Sequence, residues 1–137
     1  MDISTKNNLI KLATEACANS YSPYSAFCVG AALLCRDGQI FTGCNIENQS
    51  FGATNCAERS AFFAAISNGV SDFSAIAIVG YKKDNANNFD FCMPCGICRQ
   101  VMSEFCNKDF LILLSDHKGN IKEYTLGELL PSSFNLN

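Results

Sequence analysis

Nine cysteines stand in this chain of 137 residues, at positions 17, 28, 35, 44, 56, 92, 95, 98 and 106. An odd number cannot all pair within one chain. The first residues, Met1-Asp2-Ile3-Ser4-Thr5-Lys6, carry no basic stretch followed by an apolar core. No export signal is therefore read, and the reducing cytoplasm is the expected compartment. There, thiols bind metal or fill the core as small apolar side chains. The fold must then rest on a hydrophobic core rather than on disulfides. A chain of this length buries roughly two-thirds of its unfolded surface. One core suffices, and residues 1–137 are expected to form a single domain.

Hydrophobic residues make up 48% of the chain and charged residues 17%, a globular balance. The longest apolar run, Val29 to Cys35, falls far short of the about 20 residues of a membrane span. No membrane partner is expected. The net charge of −3 and a pI of about 5.0 argue against polyanion binding over a general basic surface, so no nucleic-acid partner is expected either.

Apolar spacing sets the elements. Leu9, Leu12, Ala13, Ala16 and Cys17 recur at helical intervals and predict a helix ending near Asn19, ahead of Ser22-Pro23. Phe27 to Leu34 and Ile40 to Ile46 flank the turn Arg36-Asp37-Gly38 and predict a β-hairpin. Residues 56–67 read as a buried helix stopped by Asn68-Gly69, and Ala75 to Val79 as a core strand. Asp84 to Asn88 is a polar loop. A third helix is expected over 95–106, then strands at Phe110 to Leu114 and Ile121 to Tyr124, then a short helix from Leu126 to Leu130 closed by Pro131. The order α-β-β-α-β-α-β-β-α predicts an α/β fold, a three-layer sandwich with one mixed five-stranded sheet and helices on both faces. Strands separated by helices are expected to be parallel neighbours.

Two clusters carry chemistry. Cys56-Ala57-Glu58-Arg59 and Pro94-Cys95-Gly96-Ile97-Cys98-Arg99-Gln100 each open a predicted helix. Cys95 and Cys98 are three apart, so both thiolates can face one ion. Helix N-termini stabilise thiolates through free N–H groups and the helix dipole. Two such termini brought together would make a three-thiolate pocket suited to zinc, with a fourth position left for water. Glu58, two residues after Cys56, can stand close to the metal without binding it and shuttle protons. This matches the three-cysteine form of the His-x-Glu…Pro-Cys-x-x-Cys signature of zinc nucleobase and nucleoside deaminases, with Cys56 in the histidine position.

Four further stretches, Tyr24 to Phe27, Val29 to Leu34, Gly43 to Asn48 and Glu128 to Pro131, accompany these clusters. Over nearly its whole length the chain resembles the small homotetrameric cytidine deaminases. That resemblance implies one Zn²⁺ per subunit held by Cys56, Cys95 and Cys98, with Glu58 as the catalytic proton shuttle. It implies that Asn45 and Glu47 hold the ribose, notably its 3′-hydroxyl; alternation along a strand independently puts them on one side. Phe27 would pack against the pyrimidine, and Ala57 would join the substrate-binding set. Phe134 would reach a neighbouring subunit's site in a homotetramer, and Arg59 would donate to the zinc thiolates. The implied reaction is hydrolytic deamination of cytidine and deoxycytidine in pyrimidine salvage, with a pyrimidine nucleoside as the small-molecule partner.

Other residues carry plainer readings. Cys92 makes a Cys-x-x-Cys-x-x-Cys run with Cys95 and Cys98, but the fourth cysteine and following proline of an iron–sulfur run are missing. It is read as a loop thiol. Cys17, Cys28, Cys35, Cys44 and Cys106 read as packing residues, and His117 as a solvated turn residue. An aminonucleoside-antibiotic deaminase should lack the Asn45-x-Glu47-Asn48 motif. A polynucleotide editor is disfavoured by the acidic pI and by a glutamate expected to grip the 3′-hydroxyl.

Overall fold

A computed structural model describes residues 1–136. Helix α1 spans Ile3–Ala16, with the Asp2 side chain accepting the Thr5 N–H at 2.8 Å as its N-terminal cap. The turn Cys17–Asn19 ends it where the sequence places its end. Strands β1 (Phe27–Cys35) and β2 (Ile40–Cys44) form the expected hairpin, with Gly38 at φ +94° supplying the left-handed turn residue. Helix α2 (Ala57–Ser67), strand β3 (Phe73–Lys82), helix α3 (Gly96–Phe105), strands β4 (Leu111–Ser115) and β5 (Ile121–Thr125) and helix α4 (Leu126–Leu129) follow. A capping box between Thr125 and Glu128 starts α4.

The five strands make one mixed sheet in the order β2-β1-β3-β4-β5. Only β3 and β4 pair in parallel; β1 and β3 pair antiparallel, against the expectation that helix-separated neighbours run parallel. The physical reason lies in the crossover. Helix α2 does carry the chain from β2 to a strand of the same direction, but β3 docks on the far side of β1, which therefore separates them. The helix crossover sets strand direction, whereas strand order depends on which edge is free.

Both faces of the sheet are covered, giving the three layers expected. On one face, α1 and the turn after it bury Leu9, Ala13 and Cys17 against Cys28, Ala32, Ala75, Ala77 and Val79. On the other, α2 and α3 bury Phe62, Ala61, Cys98 and Met102 against Ala31, Leu33, Ile76, Ile78, Ile112 and Leu114. The alternation of Ala75, Ala77 and Val79 with Ile76 and Ile78 explains why β3 reads as one continuous apolar run.

Two glycines set the helix heights. A Cβ on Gly30 would lie 2.0 Å from the Ala13 carbonyl oxygen, so α1 rests directly on the β1 backbone. A Cβ on Gly43 would lie 2.5 Å from the Ala61 nitrogen and 2.6 Å from the Ala57 oxygen, so the first turns of α2 rest on β2. The second contact fixes the end of α2 from which Cys56 and Glu58 project. Among the described residues, no helix is long and apolar enough to cross a membrane.

Candidate active site

Helices α2 and α3 meet at their N-terminal ends. Cys56 is the residue preceding α2, and Cys95 the residue preceding α3. Both take extended backbone, as N-cap positions do. Cys98 lies in the first turn of α3, almost fully buried, and its N–H donates to the Cys95 sulfur at 3.4 Å. The three sulfurs lie within 4.8 Å of one another, with Cys56 to Cys95 at 3.6 Å and Cys95 to Cys98 at 3.3 Å. A tetrahedral zinc ion with Zn–S bonds of about 2.3 Å spaces its sulfurs about 3.8 Å apart. The cluster therefore has the size of a three-thiolate metal pocket without rearrangement of the backbone.

The charges support the same reading. A hydrogen bond from Cys98 lowers the Cys56 thiol pKa below the ordinary range, with further help from Arg59, whose Nη2 donates to the Cys56 sulfur at 3.3 Å. Its hydrogen bond with Cys56 and its burial push Cys98 the other way. Three thiols in contact cannot all ionise beside a single guanidinium, because each new thiolate raises the pKa of the next. A divalent cation removes that conflict, and thiolate is the donor zinc favours.

Glu58 sits in the first turn of α2 at only 4% exposure. Burial raises the pKa of its carboxyl above the usual glutamate range. An acidic side chain held dry beside a thiolate cluster is poised to take up a proton. The Ala57 side chain is wholly buried in the core, so any contact of Ala57 with a substrate comes from its backbone, at the end of α2 where N–H groups lack helical partners.

Asn45 and Glu47 fall just beyond the end of β2, which stops at Cys44 rather than at Ile46. The backbone stays extended there, because Ile46 bridges both Tyr21 and Asn55. Both side chains reach back to the start of β1. Asn45 Oδ1 accepts from the Val29 N–H at 2.9 Å and from the Ser20 hydroxyl, while Nδ2 donates to the Phe27 carbonyl at 2.8 Å. Glu47 Oε1 accepts the N–H groups of Tyr24 at 2.9 Å and Ser25 at 3.2 Å, and Oε2 accepts the Ser25 hydroxyl. The hydrogen bond from the Ser25 hydroxyl, then those from the two backbone N–H groups, hold the Glu47 carboxyl below the usual range and thus ionised.

Phe27 is half-buried, against Gly80, and lines a cavity of about 630 Å³ together with Cys92, Lys82, Phe89 and His117. Cys92 lies in the loop before α3 and outside the sulfur cluster; burial pushes its thiol up to about 12. His117 is tied into its turn, with Nδ1 2.9 Å from the Phe89 carbonyl. Phe134 is 67% exposed and lies beside Gln100, Ser103 and Glu104 of α3. It is not among the residues that line the cavity beside Phe27.

Sequence reasoning missed Arg99, quoted only within its motif. Its Nε donates to the Pro94 carbonyl at 2.9 Å and Nη1 to the Leu129 carbonyl at 2.8 Å, so it clips the Cys95 turn to α4. It also missed Ser25; a serine two residues before an extended strand is a common turn signal, and it could have been read.

Known proteins identify the family of the chain. Residues 3–114 match the model for the cytidine and deoxycytidylate deaminase zinc-binding region. The chain is 48% identical over 126 residues to a cytidine deaminase of Sporosarcina psychrophila, covering 92% of this chain and 88% of that one. It is 50% identical over 126 residues to a cytidine deaminase of Halalkalibacterium halodurans, covering 92% and 91%. The crystal structure of cytidine deaminase from Burkholderia pseudomallei superposes with a TM-score of 0.85 at 41% identity, covering 98% of this chain and all of that one. The match to the family model over most of the chain, together with relatives at 48% and 50% identity, shows that this chain belongs to the cytidine and deoxycytidylate deaminase zinc-binding family.

Proposed function

We propose that the chain acts as one domain, a zinc-dependent enzyme that deaminates cytidine and deoxycytidine to uridine and deoxyuridine with release of ammonia, in cytoplasmic pyrimidine salvage. The observation that carries this reading is a buried carboxylate, Glu58, beside three sulfurs within 4.8 Å of one another. Cys56, Cys95 and Cys98 are the proposed zinc ligands, one ion per subunit. Bound there, Zn²⁺ supplies Lewis acidity and brings the pKa of a coordinated water toward neutrality.

The chain's own residues do the rest. Glu58 accepts a proton from the attacking water and delivers it to N3 of the ring, which makes C4 more electrophilic. The water oxygen adds to C4. Glu58 then passes the second proton to the leaving amine, and ammonia departs as the C4 carbonyl forms. Its burial favours this work, because a dry carboxyl holds a proton longer than an exposed one. Arg59 offsets the surplus negative charge of three thiolates. Phe27 packs against the pyrimidine.

Hydrogen-bond capacity supports sugar recognition by Asn45 and Glu47. A carboxylate offers about four acceptor positions. Three on Glu47 are filled by Tyr24 and Ser25, which leaves one on Oε2. Both lone pairs of Asn45 Oδ1 are engaged and one Nδ2–H remains. One acceptor and one donor suit one hydroxyl, which donates to Glu47 and accepts from Asn45. Assigning that hydroxyl to the 3′ position leaves the 2′ position unread, in keeping with action on both nucleosides. Phe134 is proposed to complete a neighbour's site in a homotetramer. Loss of cytidine absorbance by purified protein, with zinc content measured on the same sample, tests the reading. Zinc-loaded protein that leaves cytidine untouched would overturn it.

A further inference from the structure

We propose that Ser25 is a positioning residue for sugar recognition, joining the carboxylate of Glu47 to the backbone of Phe27 in one hydrogen-bonded unit. The proposal rests on the reading of Glu47 as the acceptor for a sugar hydroxyl. Ser25 Oγ does two jobs: it donates to Glu47 Oε2 and accepts the Phe27 N–H at 3.0 Å. Its backbone N–H adds a bond to Oε1. One short side chain therefore ties the group that takes the sugar to the residue whose ring packs against the base.

The backbone around it is held in an unfavourable shape. Ala26, between Ser25 and Phe27, has φ +57°, in the left-handed region that residues with a side chain seldom enter. Hydrogen bonds fix it from both sides, Ala26 N–H to the Ser22 carbonyl at 3.0 Å and Lys83 N–H to the Ala26 carbonyl at 2.9 Å. Such strain persists where the surroundings over-determine it, and it clusters at binding sites. Here it turns the Tyr24 and Ser25 N–H groups and the Ser25 hydroxyl onto a single carboxylate. The same donors leave Oε2 one acceptor position, so the hydroxyl of Ser25 sets both the orientation and the remaining capacity of Glu47. Without it, Oε2 has no directing donor, although Oε1 keeps its two backbone partners.

The test compares the wild-type protein, Ser25→Ala and Ser25→Thr on cytidine and 3′-deoxycytidine, with thermal unfolding of each. In Ser25→Ala the KM for cytidine should rise roughly 5- to 10-fold, the scale of one ordinary hydrogen bond, with kcat unchanged. Activity on 3′-deoxycytidine should change far less, so selectivity between the two falls by about the same factor. Ser25→Thr, which keeps the hydroxyl, should restore selectivity. An equal loss on both substrates, or selectivity unchanged in Ser25→Ala, would overturn the role of Ser25 while leaving Glu47 in place. A wild-type protein that does not distinguish the two substrates would overturn the sugar-reading role of Glu47 and this proposal with it.

Discussion

Glu58 and Cys56 lie two residues apart, yet their side chains stand in different surroundings. The Glu58 carboxyl is almost wholly buried, while the Cys56 sulfur faces Cys95 and the Arg59 guanidinium. Glu58→Gln keeps the shape and leaves the sulfurs untouched but removes the proposed proton acceptor. Turnover should fall by at least 10²–10⁴-fold, the usual contribution of a general acid–base, with zinc near one per subunit. Near-normal turnover in that variant would remove Glu58 from the mechanism. Cys56→Ala should lose zinc and activity together, since two sulfurs make an incomplete site. Cys92→Ala is the control: its sulfur stands outside the cluster, against Gly80, and zinc content should stay at the wild-type level. Zinc measured in both proteins checks the pair, and a Cys92→Ala protein without zinc would sink the ligand assignment.

At the scale of elements, the site depends on how low α2 sits over β2. No Cβ fits between Gly43 and the backbone of Ala57 and Ala61. Gly43→Ala must lift the first turns of α2, which carry Cys56 and Glu58, or strain the strand. Overpacking of this kind costs about 1–3 kcal/mol. Thermal unfolding should shift down and a chelator should strip zinc faster than from wild type; unchanged values in both would show that α2 has slack. This dependence was not legible in the sequence, because a glycine in a strand does not say which helix will press on it. The elements themselves were legible: the hairpin, α2 and α3 begin and end within a residue or two of the reading, and α1 was found although its start at Ile3 was not, since apolar spacing and punctuation by Gly and Pro are local signals. The antiparallel pairing of β1 with β3 was not, because strand order is decided by long-range docking. The proximity of Cys56 to Cys95 and Cys98 was legible through the motif, although 39 residues separate the first two. The bonds of Asn45 to Phe27 and Val29 were not, since nothing local shows that its amide continues the ladder where β2 stops.

The whole molecule leaves large apolar side chains in water. Phe51 is 76% exposed, Phe134 67%, Ile97 63% and Tyr21 56%. Tyr24 and Phe51 pack edge to face, 6.1 Å between ring centroids, and both line a pocket of about 350 Å³ that includes Glu47. Contiguous exposed apolar surface marks a contact surface more often than scattered single residues do. Phe134 does not line the cavity beside Phe27, so its proposed substrate role is one played in a neighbour's site. Truncation after Pro131 separates the possibilities. If Phe134 completes a neighbouring site, the shortened chain should bind zinc normally, because Cys56, Cys95 and Cys98 are untouched. Its KM for cytidine should rise by roughly 5- to 30-fold, the loss of about 1–2 kcal/mol of apolar contact. If the chain forms the proposed tetramer, sedimentation at falling concentration should show the shortened chain dissociating at higher protein concentration than the full chain. The full chain itself supplies the sharper test. A site built from two subunits loses activity as the assembly dilutes apart, so under the proposed arrangement specific activity should fall with the fraction assembled. A monomer that keeps full activity at nanomolar concentration would show that each chain carries a complete site and that Phe134 serves only to anchor the C-terminal segment.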